Sequence, residues 1–162
     1  IISLGLYLPA LLEGEGASIW KAGSTLAIYQ LAGVIGAFSG GTISDHLGRK
    51  PVLFLVSLLS PILMVAFLRP SGWLIIPLLI CVGLLSLSAQ PIMLAIVQDN
   101  LPNHRSIANG FFMAISFIFQ STSALIIGVL GDSLGLRQAF LWTAIISLIA
   151  APLVLLLPKL PR

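Results

Sequence analysis

Five apolar runs, each close to twenty residues long, constrain this chain more than any other feature. They cover residues 18–40, 51–68, 73–98, 106–130 and 138–157, and the only charge inside them is Lys21, near the start of the first. A helix rises 1.5 Å per residue, so about 20 residues cross the ~30 Å hydrocarbon core of a bilayer. Such runs must be helical, because lipid offers no partner to open backbone groups. The fold class is therefore all-α and polytopic. Composition agrees: 58% of the chain is hydrophobic and 8% is charged. A soluble domain carries about a quarter charged residues, and this chain has too few to cover a water-facing surface.

Several function classes fall away at once. The net charge of +3 forms no basic stripe, so nucleic acid is not an expected partner. Cys81 is alone, and His46 and His104 lie in different loops, which gives neither a disulfide nor a metal-ligand set. No Ser/His/Asp arrangement or intramembrane acid–base pair supports an enzyme, and no cofactor is expected.

A sixth apolar run, residues 1–12, is too short to cross: at 1.5 Å per residue it covers about 18 Å. It lacks the basic start and small-residue cleavage site of a signal peptide. It reads as the tail of a longer helix, and the chain as a fragment. Short connections make successive spans antiparallel. With loop 41–50 in the cytoplasm, Arg49, Lys50, Arg105, Lys159 and Arg162 are inside and Lys21, Arg69 and Arg137 outside. The excess of cations inside sets this orientation and puts the C-terminus in the cytoplasm. Trp20, Trp73 and Trp142 then fall near the outer interface, where indoles concentrate.

Residues 41–50, Gly-Thr-Ile-Ser-Asp-His-Leu-Gly-Arg-Lys, concentrate charge and glycine between two spans. They are expected to form a tight turn at the membrane surface. Gly48 allows a left-handed conformation, and Pro51 suits the first turn of the next helix. Asp45 can cap the positive end of a neighbouring helix, and Arg49 can pair with an acid. Asp99 is the only other acid on the same side, so Arg49–Asp99 is the pair to expect. A solvated turn obeying the charge rule is the bland alternative, since exposed ion pairs contribute only ~0–1 kcal/mol. It leaves the spaced glycines unexplained.

The pattern Gly41-x3-Asp45-x-Leu47-Gly48 recurs as Gly128-x3-Asp132-x-Leu134-Gly135, with Arg49 echoed one place later as Arg137. Both copies follow the middle span of a three-span group, on opposite sides of the membrane. This predicts two inverted three-helix repeats, 1–68 and 73–157, in one transmembrane domain, 1–162.

Gly41-x3-Asp45-x2-Gly48-Arg49-Lys50 resembles the signature loop of the major facilitator superfamily. Asp99-x2-Pro102-x2-Arg105-x2-Ala108-x-Gly110 is similar to the acid–Pro–Arg segment after the fourth helix of a half in that family. The resemblance covers the whole chain. It implies a six-helix half with a truncated first helix, here the C-terminal half, in a secondary transporter of a bacterial inner membrane. The text around Leu8–Leu12 and Gly33–Phe38 looks most like fosmidomycin-resistance-type exporters, which would make the protein an efflux antiporter. The partners implied are a small-molecule solute, the bilayer and a missing N-terminal six-helix half. Gly41, Asp45, Gly48, Arg49, Lys50, Asp99 and Arg105 would form a conformational latch, with Asp45 docking on a helix of the other half. A truncated, transport-inactive interaction module is the alternative.

In the family the first, second, fourth and fifth helices of a half line the substrate cavity, while the third and sixth face lipid. Tyr7, Tyr29, Gln30, Gln90 and Gln120 are the candidate cavity residues, because an unbonded amide or hydroxyl in hydrocarbon is costly. Helix–helix hydrogen bonding is the competing reading. Pro91, beside Gln90, marks an expected kink. Gly33, Gly36 and Gly40 share one face and predict a close helix contact, made in the family with the other half. No acid, Lys, Arg or His lies at membrane depth, so a proton-coupling carboxylate would have to lie elsewhere.

Overall fold

The computed structural model describes residues 3–68 and 74–157. Arg69, Trp73, Lys159 and Arg162, used above for orientation, lie outside the described residues. The helices are α1 (Ser3–Gly14), α2 (Ile19–Leu47), α3 (Arg49–Phe67), α4 (Ile75–Asn100), α5 (Arg105–Leu134) and α6 (Leu136–Ala150). A 3-10 turn, Pro102–His104, leads into α5, and a second, Ala151–Leu156, extends α6. There is no strand among the described residues. Five helical stretches are long and apolar enough to cross a membrane, and α1 is a shorter apolar helix.

The helices run further than the apolar pattern indicates. Residues 41–47 are not a loop: α2 continues through Gly41 and Asp45 and stops only at Gly48. Nothing before Gly48 breaks it. Ser39, Thr42 and Ser44 donate their hydroxyls to the preceding turn, to Ile35, Phe38 and Gly41 carbonyls at 2.8, 3.1 and 2.7 Å. The whole connection to α3 is Gly48, at φ +94° and ψ 139°. The second motif behaves alike: α5 runs through Gly128 and Asp132, and Gly135, at φ +87° and ψ 142°, is the whole connection to α6. That conformation is essentially reserved for glycine. Pro51 lies within the first turn of α3, and α4 carries Pro91 without interruption.

Contacts fix which ends lie together. Arg137, at the start of α6, meets Glu15 after α1 and Leu68 after α3. Arg49, at the start of α3, meets Asp99 in the last turn of α4. Gly48 and Gly135 therefore sit at opposite ends of the bundle.

The two ends are packed differently. Leu4, Leu8, Met64, Leu79, Ile127 and Phe140 form a fully buried core toward the Gly135 end. Toward the Gly48 end only a smaller cluster forms, from Val52, Leu53 and Val56 on α3 and Ile92 and Ile96 on α4. The closest contact of all is α2 against α4. A β-carbon on Gly36 would lie 2.0 Å from the Leu84 carbonyl oxygen, and one on Gly33 1.8 Å from the Leu87 side chain. Gly40 meets Ser88, and Gly83 meets the Tyr29 carbonyl from the other side. The glycine face thus packs inside this chain, not against a helix from another half. Only glycine lets the two backbones approach this closely. By contrast α5 buries only Ala108 and Ile127.

Candidate functional site

At the Gly48 end, three side chains form one charged cluster. Arg49 opens α3 because Gly48 has just turned the chain, and its guanidinium faces back across the end of the bundle. Its Nε lies 2.8 Å from an Asp99 carboxylate oxygen, and one Nη lies 3.3 Å from Asp45. The Arg49 and Asp99 side chains are 22% and 35% exposed, whereas Asp45 is 62% exposed. The shorter, drier contact is the stronger, since solvent screens the Asp45 pair. Asp45 is one turn before Arg49 and pairs with it rather than capping a neighbouring helix. Lys50 donates to the Leu157 carbonyl at 2.5 Å, tying the end of the described chain to α3.

The Gly135 end carries a counterpart. Arg137 lies 3.6 Å from the Glu15 carboxylate and also donates to the Leu68 carbonyl. Each arginine therefore follows a glycine joint and reaches the final turn, or the residue after it, of a helix in the other group of three. Asp132, which stands where Asp45 stands in the first motif, takes no part in the ion pairs among the described residues.

Between the charged ends lies a cavity of about 1050 Å³, walled by α3, α4, α5 and α6. It begins near Leu101 and His104 at the Gly48 end and reaches Ser86 and Ser123 in the interior. Its lining is layered. At the outer level Met93, Val97, Ile107, Phe112 and Val154 make an apolar vestibule. Deeper, α3 contributes Ser57 and Ser60, α4 Ser86 and Gln90, α5 Ser116 and Gln120, and α6 Ser147. These polar residues sit roughly eight to fifteen residues from the Gly48 end of their helices, about 12–23 Å along the axis at 1.5 Å per residue. That is the middle of a ~30 Å hydrocarbon core. Beyond it the main core closes the bundle. Across the open side, Gln98 donates to Asn109 at 2.8 Å and holds α4 to α5.

The family model described as Major Facilitator Superfamily matches residues 2–162. The chain belongs to that superfamily. Membership and five crossing-length helices make it an integral membrane protein with an all-α fold of the superfamily's six-helix kind. A relative from Bacillus subtilis (strain 168), YfnC, named as an uncharacterized MFS-type transporter, is 26% identical over 142 residues, or 88% of this chain. The chain spans 34% of that relative's length. No solved structure matches the chain.

Within this superfamily chain the expected site residues distribute unevenly. Asp45, Arg49 and Asp99 come together, with Gly48 as the joint and Lys50 alongside. Arg105 does not join them: it is exposed at the start of α5 and forms no ion pair among the described residues. Gly41 is within α2, and a β-carbon there would meet nothing within 4 Å.

Gln90 and Gln120 line the cavity, while Tyr7, Tyr29 and Gln30 do not. Tyr7 donates to the Ala124 carbonyl at 2.9 Å and struts α1 against α5. Tyr29 is buried in the main core, packed over Gly5. Gln30 is exposed on the outer face of α2. The third and sixth helices, expected to face lipid, instead supply Ser57, Ser60 and Ser147 to the lining. Isolated serines in apolar helices gave no signal that separated lining from packing. His104 also lines the cavity, placed by the Pro102–His104 turn. Arg137 is expected only as an echo of Arg49, and no sequence signal singles out Glu15 as its partner.

Proposed function

We propose that the protein carries a small solute across the bilayer by alternating access, as a secondary transporter. The observation that carries this reading is the cavity, which reaches a polar layer at mid-depth and is closed beyond it by the main core. A route that stops at the membrane centre leads nowhere unless the other end opens in turn. The Gly48 end is proposed to face the cytoplasm of a bacterial inner membrane, on the strength of its cations. The chain would then be the C-terminal six-helix half, built from repeats 1–68 and 73–157. The matched joints at Gly48 and Gly135 and the reciprocal arginine contacts support that symmetry.

The Asp45–Arg49–Asp99 cluster is proposed as part of the conformational latch. Both strong partners lie in this chain, so its own contribution is to brace α3 against α4. Asp45 and Gly41, one turn apart on a face that nothing covers here, would meet a helix of the N-terminal half. Efflux in exchange for an ion is the transport mode that the resemblance suggests, with the coupling carboxylate outside these helices.

Access can be tested without knowing the solute. In the full-length protein with Cys81→Ser, a single Ser116→Cys is exposed to an impermeant maleimide in right-side-out and inside-out vesicles. Alternating access predicts labelling from both sides. Labelling from one side alone would overturn it. Asp45→Asn and Asp99→Asn should alter the ratio of the two rates, and an unchanged ratio removes the latch role.

A further inference from the structure

We propose that the cavity takes an uncharged amphiphile, which enters with its hydrogen-bonding end first. This rests on reading the cavity as the solute site. The polar layer consists of hydroxyls and amides alone. Gln90 and Gln120 each offer two donors and an acceptor, and each serine offers one donor and two acceptors. Such groups satisfy a hydroxyl, ester or amide of a ligand but cannot neutralise an ion. His104 is the only ionisable side chain in the lining among the described residues, and it stands at the rim, away from the polar layer. An ion drawn to mid-depth would lose its water without meeting a countercharge from these helices.

A second observation points the same way. Ser60 is 2% exposed, it lines the cavity, and its hydroxyl has no hydrogen-bond partner among the described residues. Ser86, 4% exposed and also in the lining, faces the buried Tyr29 hydroxyl and interacts with it. Buried polar groups are ordinarily bonded, so the Ser60 hydroxyl is capacity held in reserve. A neutral ligand group at the polar layer would use it after a single χ1 rotation. The vestibule then dictates the rest of the ligand. Met93, Phe112 and Val154 offer only apolar contact, and Met and Phe adapt to varied shapes. The volume of about 1050 Å³ is at the upper end for a drug-sized ligand, so a tail of considerable length fits.

The test uses three probes that share a tail: 1-decanoylglycerol, decanoate and decyltrimethylammonium. The full-length protein in nanodiscs, with Cys81→Ser and Ala89→Cys, is labelled with a maleimide, and each probe is titrated for protection. The glycerol ester should protect saturably, and both ions should need at least tenfold higher concentration. Gln90→Leu with Gln120→Leu should raise the half-protecting concentration of the ester at least tenfold. Equal protection by either ion, or indifference to the glutamine changes, overturns the proposal. If the Ala89→Cys thiol never labels from either side, the cavity reading itself is removed. Two-sided access at Ser116→Cys with protection by the ions would remove only the ligand class.

Discussion

Arg49 Nε lies 2.8 Å from the Asp99 carboxylate, while the nearer acid in sequence, Asp45, is held at 3.3 Å and is mostly in water. The pair that joins α3 to α4 is therefore stronger than the pair that spans the Gly48 joint between α2 and α3. In a double-mutant cycle on thermal unfolding of the full-length protein, Arg49→Ala and Asp99→Ala should couple by about 1 kcal/mol. Arg49→Ala with Asp45→Ala should couple by less than ~0.5 kcal/mol. Equal coupling would mean that α3 and α4 are not braced through this contact.

The glycines of the first motif should respond in opposite ways. Gly48→Ala forces a β-carbon into a glycine-only conformation and should cost ~1–3 kcal/mol, as should Gly135→Ala. Gly41 is helical with open space around it among these residues, so Gly41→Ala should gain up to ~1 kcal/mol from helix propensity in this half alone, whereas the proposed contact with the N-terminal half would turn that gain into a loss in the full-length protein. Unfolding midpoints in detergent would check both signs. A loss at Gly41 would reveal a helix from outside these residues pressed against it.

At the α2–α4 crossing, Gly36→Ala would drive a methyl group into the Leu84 backbone, which cannot swing aside as a side chain can. It should lower stability by roughly 2 kcal/mol or more. Gly23, on the same helix with nothing within 4 Å, provides the control. Gly23→Ala should be neutral or stabilising in the same yield and unfolding assays.

At the opposite end, Arg137 serves two acceptors and Glu15 only one donor. Glu15→Gln should therefore cost no more than ~0.5 kcal/mol, since the pair is exposed. Arg137→Ala also strands the Leu68 carbonyl and should cost more, about 1–2 kcal/mol. Unfolding of the two variants and of their combination gives the order. If Glu15→Gln were the costlier change, the carbonyl contact would be secondary.

Fold class was legible because hydrocarbon leaves a chain one choice of backbone, and runs of apolar residues mark where that choice applies. The Arg49–Asp99 contact was legible for a related reason: with so few charges, each has few possible partners. What could not be read was azimuth. Tyr29 and Gln30 are adjacent, yet one is in the core and the other faces outward. In α2, apolar residues occupy every face, so no periodicity told which side packs. The same ambiguity hid the partner of Gly33 and Gly36. The helix ends were misjudged because charge was read as loop, whereas Asp45 and His46 simply decorate the last turn of α2.

A connection of one residue has no slack. If α2 rolls about its axis, only the two torsions of Gly48 can absorb the movement, and past them α3 must roll as well. Gly135 imposes the same discipline on α5 and α6 at the far surface. Such joints act as gears rather than tethers. A single residue inserted beside either glycine would leave each helix intact and still uncouple their turning.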